Sequence, residues 1–332
     1  MQTYPIFKES AIVDKSDPNL VNITYMGNMY TLRDAAAEIF TDLQGMLTGE
    51  NAIEDIANKT PYSVDKIDSF IKSLSRCHLV SIRGAESKLI TGLEFYDYHR
   101  RYCTEWLKEI YEHPFWDKVV NGTATDPQII GFAFEKYHYI EGAHEHMGIA
   151  AANATPEMMP HLSKHFCEEY THGDIYMSGL AKIYDNETVL KSIPLPSTRA
   201  LINYLNEAAA TDSFAYYAAN EFLQMTENDE EENSSYDAVD DFYNKMIEHY
   251  PYTKPLVRSF IAHTQLDQKL GHDNAFYDMC KDVPPLTLRQ VGQVMETVRG
   301  IVDALKIFMD GIDTFYINFN EIPRLPATTL TE

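Results

Sequence analysis

The sequence predicts a mainly α protein, a seven-helix bundle preceded by a small α+β unit. Three observations carry that expectation. From residue 93 onward, aromatic and aliphatic residues recur at helical spacing over almost the whole chain. Before residue 85, alternating strand-like segments flank three short helical patterns. The length, 332 residues with 45% hydrophobic, is enough for about two domains and a real core.

The first unit reads in order as follows. Val21, Ile23 and Tyr25 alternate with polar residues as in a strand, and Gly27-Asn28 can turn the chain back into a second strand over 29–32. A helix follows over 32–44, ended by Gly45. Asn51 with Glu54 three residues later predicts a capped short helix through Lys59, stopped before Pro61. Ser63 opens a third helix to Arg76, with Val64, Ile67, Phe70, Ile71 and Leu74 on one face. Residues 79–82 close the unit as a strand. Hairpin, three helices and strand predict a winged-helix-like domain over 1–85, and the small and polar residues of 83–92 predict a linker.

The bundle, 93–332, is predicted to hold helices over 95–119, 127–153, 156–184, 198–225, 236–249, 255–280 and 288–315, separated by Pro, Gly and Asn clusters. From the end of the fourth into the start of the fifth, residues 226–241 carry eight acids and no base. Such a block repels itself and predicts a solvated loop.

Charge, cysteine usage and hydropathy argue against several functions. Fifty acids against 27 bases give −23, which disfavours nucleic acid and anionic membrane surfaces as partners. The third helix of the first unit mixes Asp65, Lys66, Asp68, Lys72 and Arg76, so it carries no phosphate-binding stripe. The four cysteines form no paired motif, which argues against a disulfide scaffold or a thiolate zinc site. No basic segment with an apolar core opens the sequence, and no apolar run reaches ~18 residues. A cytoplasmic location is therefore expected.

Chemistry concentrates in one stretch. Six of the 12 histidines lie between 138 and 172, in a region dense in glutamate. Three Glu-x-x-His pairs occur there, Glu135/His138, Glu141/His144 and Glu169/His172, where chance predicts about one. On a helix such a pair shares a face, and a carboxylate with an imidazole can grip a first-row metal, as in di-iron helical bundles. Further on, His263 and Asp267 share a face at i and i+4 among Phe260, Ile261, Leu266 and Leu270. Buried unpaired, they would be costly; a metal or a mutual hydrogen bond would stabilise both. Glu221 follows a run of small and aromatic residues predicted to pack inside. His138 and His165 suit hydrogen bonding to ligand carboxylates, whereas His144, His146 and His161 suit surface or packing roles.

These motifs, Phe134-Glu-Lys-Tyr-His-Tyr-Ile140, Glu168-Glu-Tyr-Thr-His172 and His263-Thr-Gln-Leu-Asp267, resemble those of the heme-oxygenase-like di-iron oxidases and oxygenases, relatives of the PqqC and TenA proteins. The resemblance covers 93–332. It implies a heme-oxygenase-like bundle and carries the metal-ligand role to Glu135, Glu169, His172, Glu221, His263 and Asp267. Leu270 stands where members often place a further histidine, and His272 would reach the metal only if the helix unwinds near Gly271. The first unit resembles PqqD-like domains, which bind a leader peptide as an added strand.

The resemblance thus implies an iron-dependent oxygenase or oxidase with two Fe(II) ions, O2 as co-substrate and an external reductant. The expected substrate is a small amino-acid or amine metabolite, and the expected reaction N-oxygenation, desaturation or C–C cleavage. A homodimer is expected. The alternatives are leader-guided oxidation of a peptide, and a non-enzymatic scaffold or metal-binding protein.

Overall fold

A computed structural model describes residues 3–8, 10–17, 20–83, 89–225, 235–270, 274–317 and 322–326. Most of the acidic block, 226–234, and His272 lie outside the described residues. The chain divides into two compact units, Met1–Ile90 with Pro285–Glu296, and Thr91–Pro284 with Thr297–Glu332.

Among its described residues up to Ile90 the first unit holds β1 (Tyr4–Phe7), β2 (Ile12–Asp17), β3 (Leu20–Tyr25), β4 (Asn28–Arg33), α1 (Ala35–Leu43), α2 (Ile53–Lys59), α3 (Val64–Arg76) and β5 (Val80–Arg83). β2, β3 and β4 form an antiparallel sheet, and β1 pairs antiparallel with β5. The hairpin turn falls on Met26 and Gly27, both at positive φ, so Tyr25 faces Asn28 across the ladder. That is one residue before the predicted turn, because a two-residue hairpin needs φ > 0 at both central positions. β1 and β2 escape the sequence pattern: β1 is four residues long with a proline, and β2 is mostly exposed and polar. Ser63 caps α3 as expected, accepting from Lys66 N at 3.3 Å. The cap of α2 sits one residue later than predicted: Ala52 N donates to Asp55 Oδ2 at 3.2 Å, while Asn51 bonds Met46 O. The core gathers Ile23, Phe40, Leu43, Ile56, Ile67 and Ile71, all essentially unexposed. The segment from Pro285 completes this unit. Ile90 and Leu286 exchange backbone hydrogen bonds of 2.8 and 2.7 Å, and Tyr25 OH donates to Glu296 Oε1 at 2.7 Å.

The second unit is helical: α4 (Gly92–Tyr111), α5 (Pro114–Val120), α6 (Asp126–Glu141), α7 (Ala143–Ala152), α8 (Met159–Glu169), α9 (His172–Leu180), α10 (Asn186–Lys191), α11 (Pro196–Thr211), α12 (Ser213–Gln224), α13 (Ser235–His249), α14 (Lys254–Leu270), α15 (Ala275–Asp282) and the greater part of α16 (Leu288–Phe315). The periodicity predicted fewer and longer helices, because a pattern of 3.6 continues across a short break. His113 is extended before Pro114, as a residue preceding proline prefers, and this separates α4 from α5. Asp212 turns its carboxylate onto Phe214 N and Ala215 N, starting α12 afresh. Glycines allow α9 its close packing. A Cβ at Gly179 would run into the Ser259 hydroxyl of α14, and one at Gly173 into the Glu141 carboxylate of α6. Among the described residues, no helix is long and apolar enough to cross a membrane.

Candidate metal centre

α9 lies beside both α6 and α14, and this brings two sequence motifs to one place. Glu169 is the last residue of α8 and His172 the first of α9, so their spacing spans a helix junction rather than one continuous face. They still meet: His172 Nδ1 lies 2.7 Å from Glu169 Oε2. On α14, His263 Nδ1 lies 2.9 Å from Asp267 Oδ2. Asp267 Oδ1 lies 3.3 Å from His172 Nδ1, joining the two motifs, and the two imidazole rings stand 4.9 Å apart. One ligand atom from each of Glu169, His172, His263 and Asp267 falls within 4.8 Å of the others. Side-chain exposure rises from 1% at His172 to 24% at Asp267, so the group is closed at one end and reachable at the other.

The residues fit a metal ion on two grounds. His263 Nε2 is buried and has no hydrogen-bond partner among the described residues. A buried imidazole nitrogen left so is costly unless something coordinates or bonds it. The donor set, two carboxylates and two imidazoles without thiolate, suits iron or manganese over soft metals.

The other predicted residues are placed as follows. Glu135, the first ligand implied by the resemblance, is fully buried but turned elsewhere. It accepts from Leu195 N at 3.0 Å, Thr198 Oγ1 at 2.5 Å and Tyr316 OH at 2.5 Å. Burial raises its pKa, and those three donors work against the rise. Its carboxylate thus anchors the start of α11 and the end of α16, and it is not in the four-residue group. Glu221 is buried on α12 with Arg100 Nη1 3.8 Å from its carboxylate, also outside the group. Glu168 points to Lys164 at 3.6 Å, leaving Glu169 as the inward carboxylate.

The histidines divide less simply than the helical wheel suggested. His165 is buried, its Nε2 accepting from Gln224 Nε2 at 3.3 Å and lying 3.6 Å from Glu169 Oε1, so it stands beside a site carboxylate. His138 bonds Ser192 Oγ at 3.0 Å instead. His161 meets Asp282 at 2.8 Å, and exposed His144 bonds Glu141 O. His146 is no surface residue: it is 1% exposed, and its Nδ1 lies 2.7 Å from Tyr216 OH. Burial holds His146 down to about 3, so the ring is neutral.

Aromatic side chains wall the group. The Tyr176 ring lies 5.1 Å from that of His263 and 5.3 Å from Phe260. Burial pushes the phenols of Tyr139, Tyr176 and Tyr216 up, so each keeps its proton. Sequence reasoning passed over Lys136. Its ammonium stands 5.9, 5.8 and 5.2 Å from the ring centres of Phe132, Tyr176 and Phe260. Desolvation holds it down to about 8, with the Asp267 charge acting the other way.

Residues 100–250 match the model of the TENA/THI-4/PQQC family. A domain of unknown function with a heme oxygenase-like fold from Shewanella denitrificans matches with a TM-score of 0.53 at 23% identity, over 67% of this chain and 93% of that one. A TenA homologue from P. horikoshii aligns over 66% and 97%, with a TM-score of 0.46 and 14% identity. A TenA homologue from Pseudomonas syringae pv. tomato aligns over 66% and 92%, with a TM-score of 0.48 and 12% identity. No curated protein matches the chain. Over residues 100–250 the chain is therefore similar to the TENA/THI-4/PQQC family, and its helical unit has a heme oxygenase-like fold.

Proposed function

We propose that the protein is a non-heme iron oxidoreductase that uses O2 to oxidise a small amino-acid or amine metabolite. The observation that carries this reading is the convergence of Glu169, His172, His263 and Asp267 within 4.8 Å. These four side chains would hold the ion. Bound iron would supply what side chains lack, activation of O2. The protein's own part is positional. His165, which Gln224 contacts in turn, stands beside the Glu169 carboxylate. The buried tyrosines and Phe260 keep water from the closed side, where His172 sits, and Asp267 marks the side a small molecule can reach. N-oxygenation, desaturation and C–C cleavage all suit such a site. Thiolate nucleophilic chemistry suits it poorly, because burial pushes the Cys103 and Cys280 thiols up. The order of hairpin, three helices and strand in the first unit supports a PqqD-like, peptide-binding role there.

The test is anaerobic Fe(II) loading of wild type, His263→Ala and Asp267→Asn, followed by metal analysis and O2-dependent absorbance. Wild type should bind iron and respond to O2, and both variants should lose iron. The two-ion expectation is decided by the stoichiometry in wild type. Equal iron in all three proteins, or tight zinc with no response of the iron-loaded form to O2, overturns the reading.

A further inference from the structure

We propose that the Lys136 ammonium, held over Phe132, Tyr176 and Phe260 beside the His263–Asp267 face of α14, binds the carboxylate of the substrate. This deepens the proposed function and rests on it: the substrate class becomes an organic acid, such as an amino acid engaged through its carboxylate.

The argument begins with placement. Phe260, His263 and Asp267 are at i, i+3 and i+7 on α14, which puts the ring beneath Lys136 and two members of the metal group on one helical face. Tyr176 extends that surface, touching the Phe260 and His263 rings at once. Lys136 therefore reaches, from α6, the same wall of rings that borders the metal group.

Its bonding is the second point. Among the described residues the ammonium makes neither a hydrogen bond nor an ion pair; three ring faces surround it. Ring faces attract a cation but accept none of its three N–H bonds as a carboxylate would. The adjacent carboxylate, Glu135, is engaged with Leu195, Thr198 and Tyr316 and does not serve it. A half-buried cation without a carboxylate of its own retains donors that a ligand carboxylate can take.

Charge gives the third point. A divalent ion would offset the two carboxylates, Glu169 and Asp267, and the Lys136 ammonium would then be an unmatched positive charge beside the loaded site. A monoanionic substrate restores neutrality, whereas a cationic amine without a carboxylate would add to the excess. A purely structural lysine, a strut between ring faces, would be indifferent to the ligand.

The experiment titrates acetate, phenylacetate and octanoate, with phenylacetamide and octanamide as neutral controls, into metal-free and Zn(II)-loaded protein by calorimetry. Wild type, Lys136→Met and Lys136→Arg are compared, with circular dichroism melts to confirm folding. At least one carboxylate should bind wild type while its amide does not. Lys136→Met should lose about tenfold or more in affinity, the scale of one charge-assisted hydrogen bond, and Lys136→Arg should stay within about threefold. Equal carboxylate affinity in folded Lys136→Met and wild type overturns the proposal, as does a wild type that binds none of the three acids in either form. The metal reading is judged separately, by Zn(II) affinity of wild type against His263→Ala. If that affinity is unchanged while Lys136→Met still loses the acid in the metal-free protein, the metal centre falls and the anion site stands.

Discussion

Replacing Glu135 separates an anchoring carboxylate from a metal ligand. Glu135→Ala would strand three groups that now donate to it: Leu195 N–H, the Thr198 hydroxyl and the Tyr316 hydroxyl. Thr198 is unexposed and Tyr316 is 1% exposed, so water cannot replace the carboxylate without entering the core. A stranded buried donor costs about 1 kcal/mol or more, so three cost at least ~3 kcal/mol, partly offset by removal of a desolvated carboxylate. At the usual scale for a unit of this size, ~2–4 °C per kcal/mol, the melting temperature should fall by roughly 6–12 °C. Glu135→Gln keeps a carbonyl oxygen for part of the donor set and should lose about half as much. Both variants should bind metal with wild-type stoichiometry, because the carboxylate lies outside the four-residue group. Scanning calorimetry of the metal-free proteins, with metal analysis after Fe(II) loading, provides both readouts. A Glu135→Ala protein that melts like wild type yet has lost its metal would refute the structural assignment and return Glu135 to the ligand set.

Three further outcomes are expected. His165→Gln should weaken metal binding by about 10–100-fold while leaving the four ligands in place, since it removes the group beside Glu169 Oε1; competition against a chelator measures this, and unchanged affinity would remove His165 from any supporting role. Metal-free stability should fall as pH drops from 6.5 toward 4. Burial holds His99 and His138 down to about 4 and His146 to about 3, so these rings stay neutral in the folded chain while the unfolded chain takes up protons below 6.5. Each histidine contributes a slope of up to about 1.4 kcal/mol per pH unit in that window. Urea titrations should show it, less steeply in His138→Gln, and identical slopes in the two proteins would count against the assignment. Finally, Gly179→Val should push α9 off α14, because its side chain meets the Ser259 hydroxyl and the Pro255 carbonyl. A loss of ~1–3 kcal/mol together with weakened metal binding is expected, the usual cost of overpacking; a variant that melts and binds metal as wild type does would show that the close approach is dispensable.

Much of the molecule can be read from residue order alone. Apolar spacing located the helical regions, and Ser63 marked the start of α3. His263 and Asp267 needed only their i, i+4 spacing to be placed on one face, because that relation is local to a helix. Glu169 and His172 met for a reason the spacing alone did not supply. Their helix breaks at Tyr170 and Thr171, and the glycines of α9 let it close onto α6 and α14. Tertiary packing also decided between neighbours in the chain. Glu135 and Lys136 are consecutive, about 100° apart on α6. One turns to Leu195, Thr198 and Tyr316, and the other to the rings beside the metal group. Periodicity states which residues share a face, but the element that covers each face comes from chain segments 40 to 180 residues away. For that reason the sequence offered a set of candidate histidines and carboxylates, and only the packed helices decided which of its glutamates lie together with His172 and His263 and which lysine stands beside them.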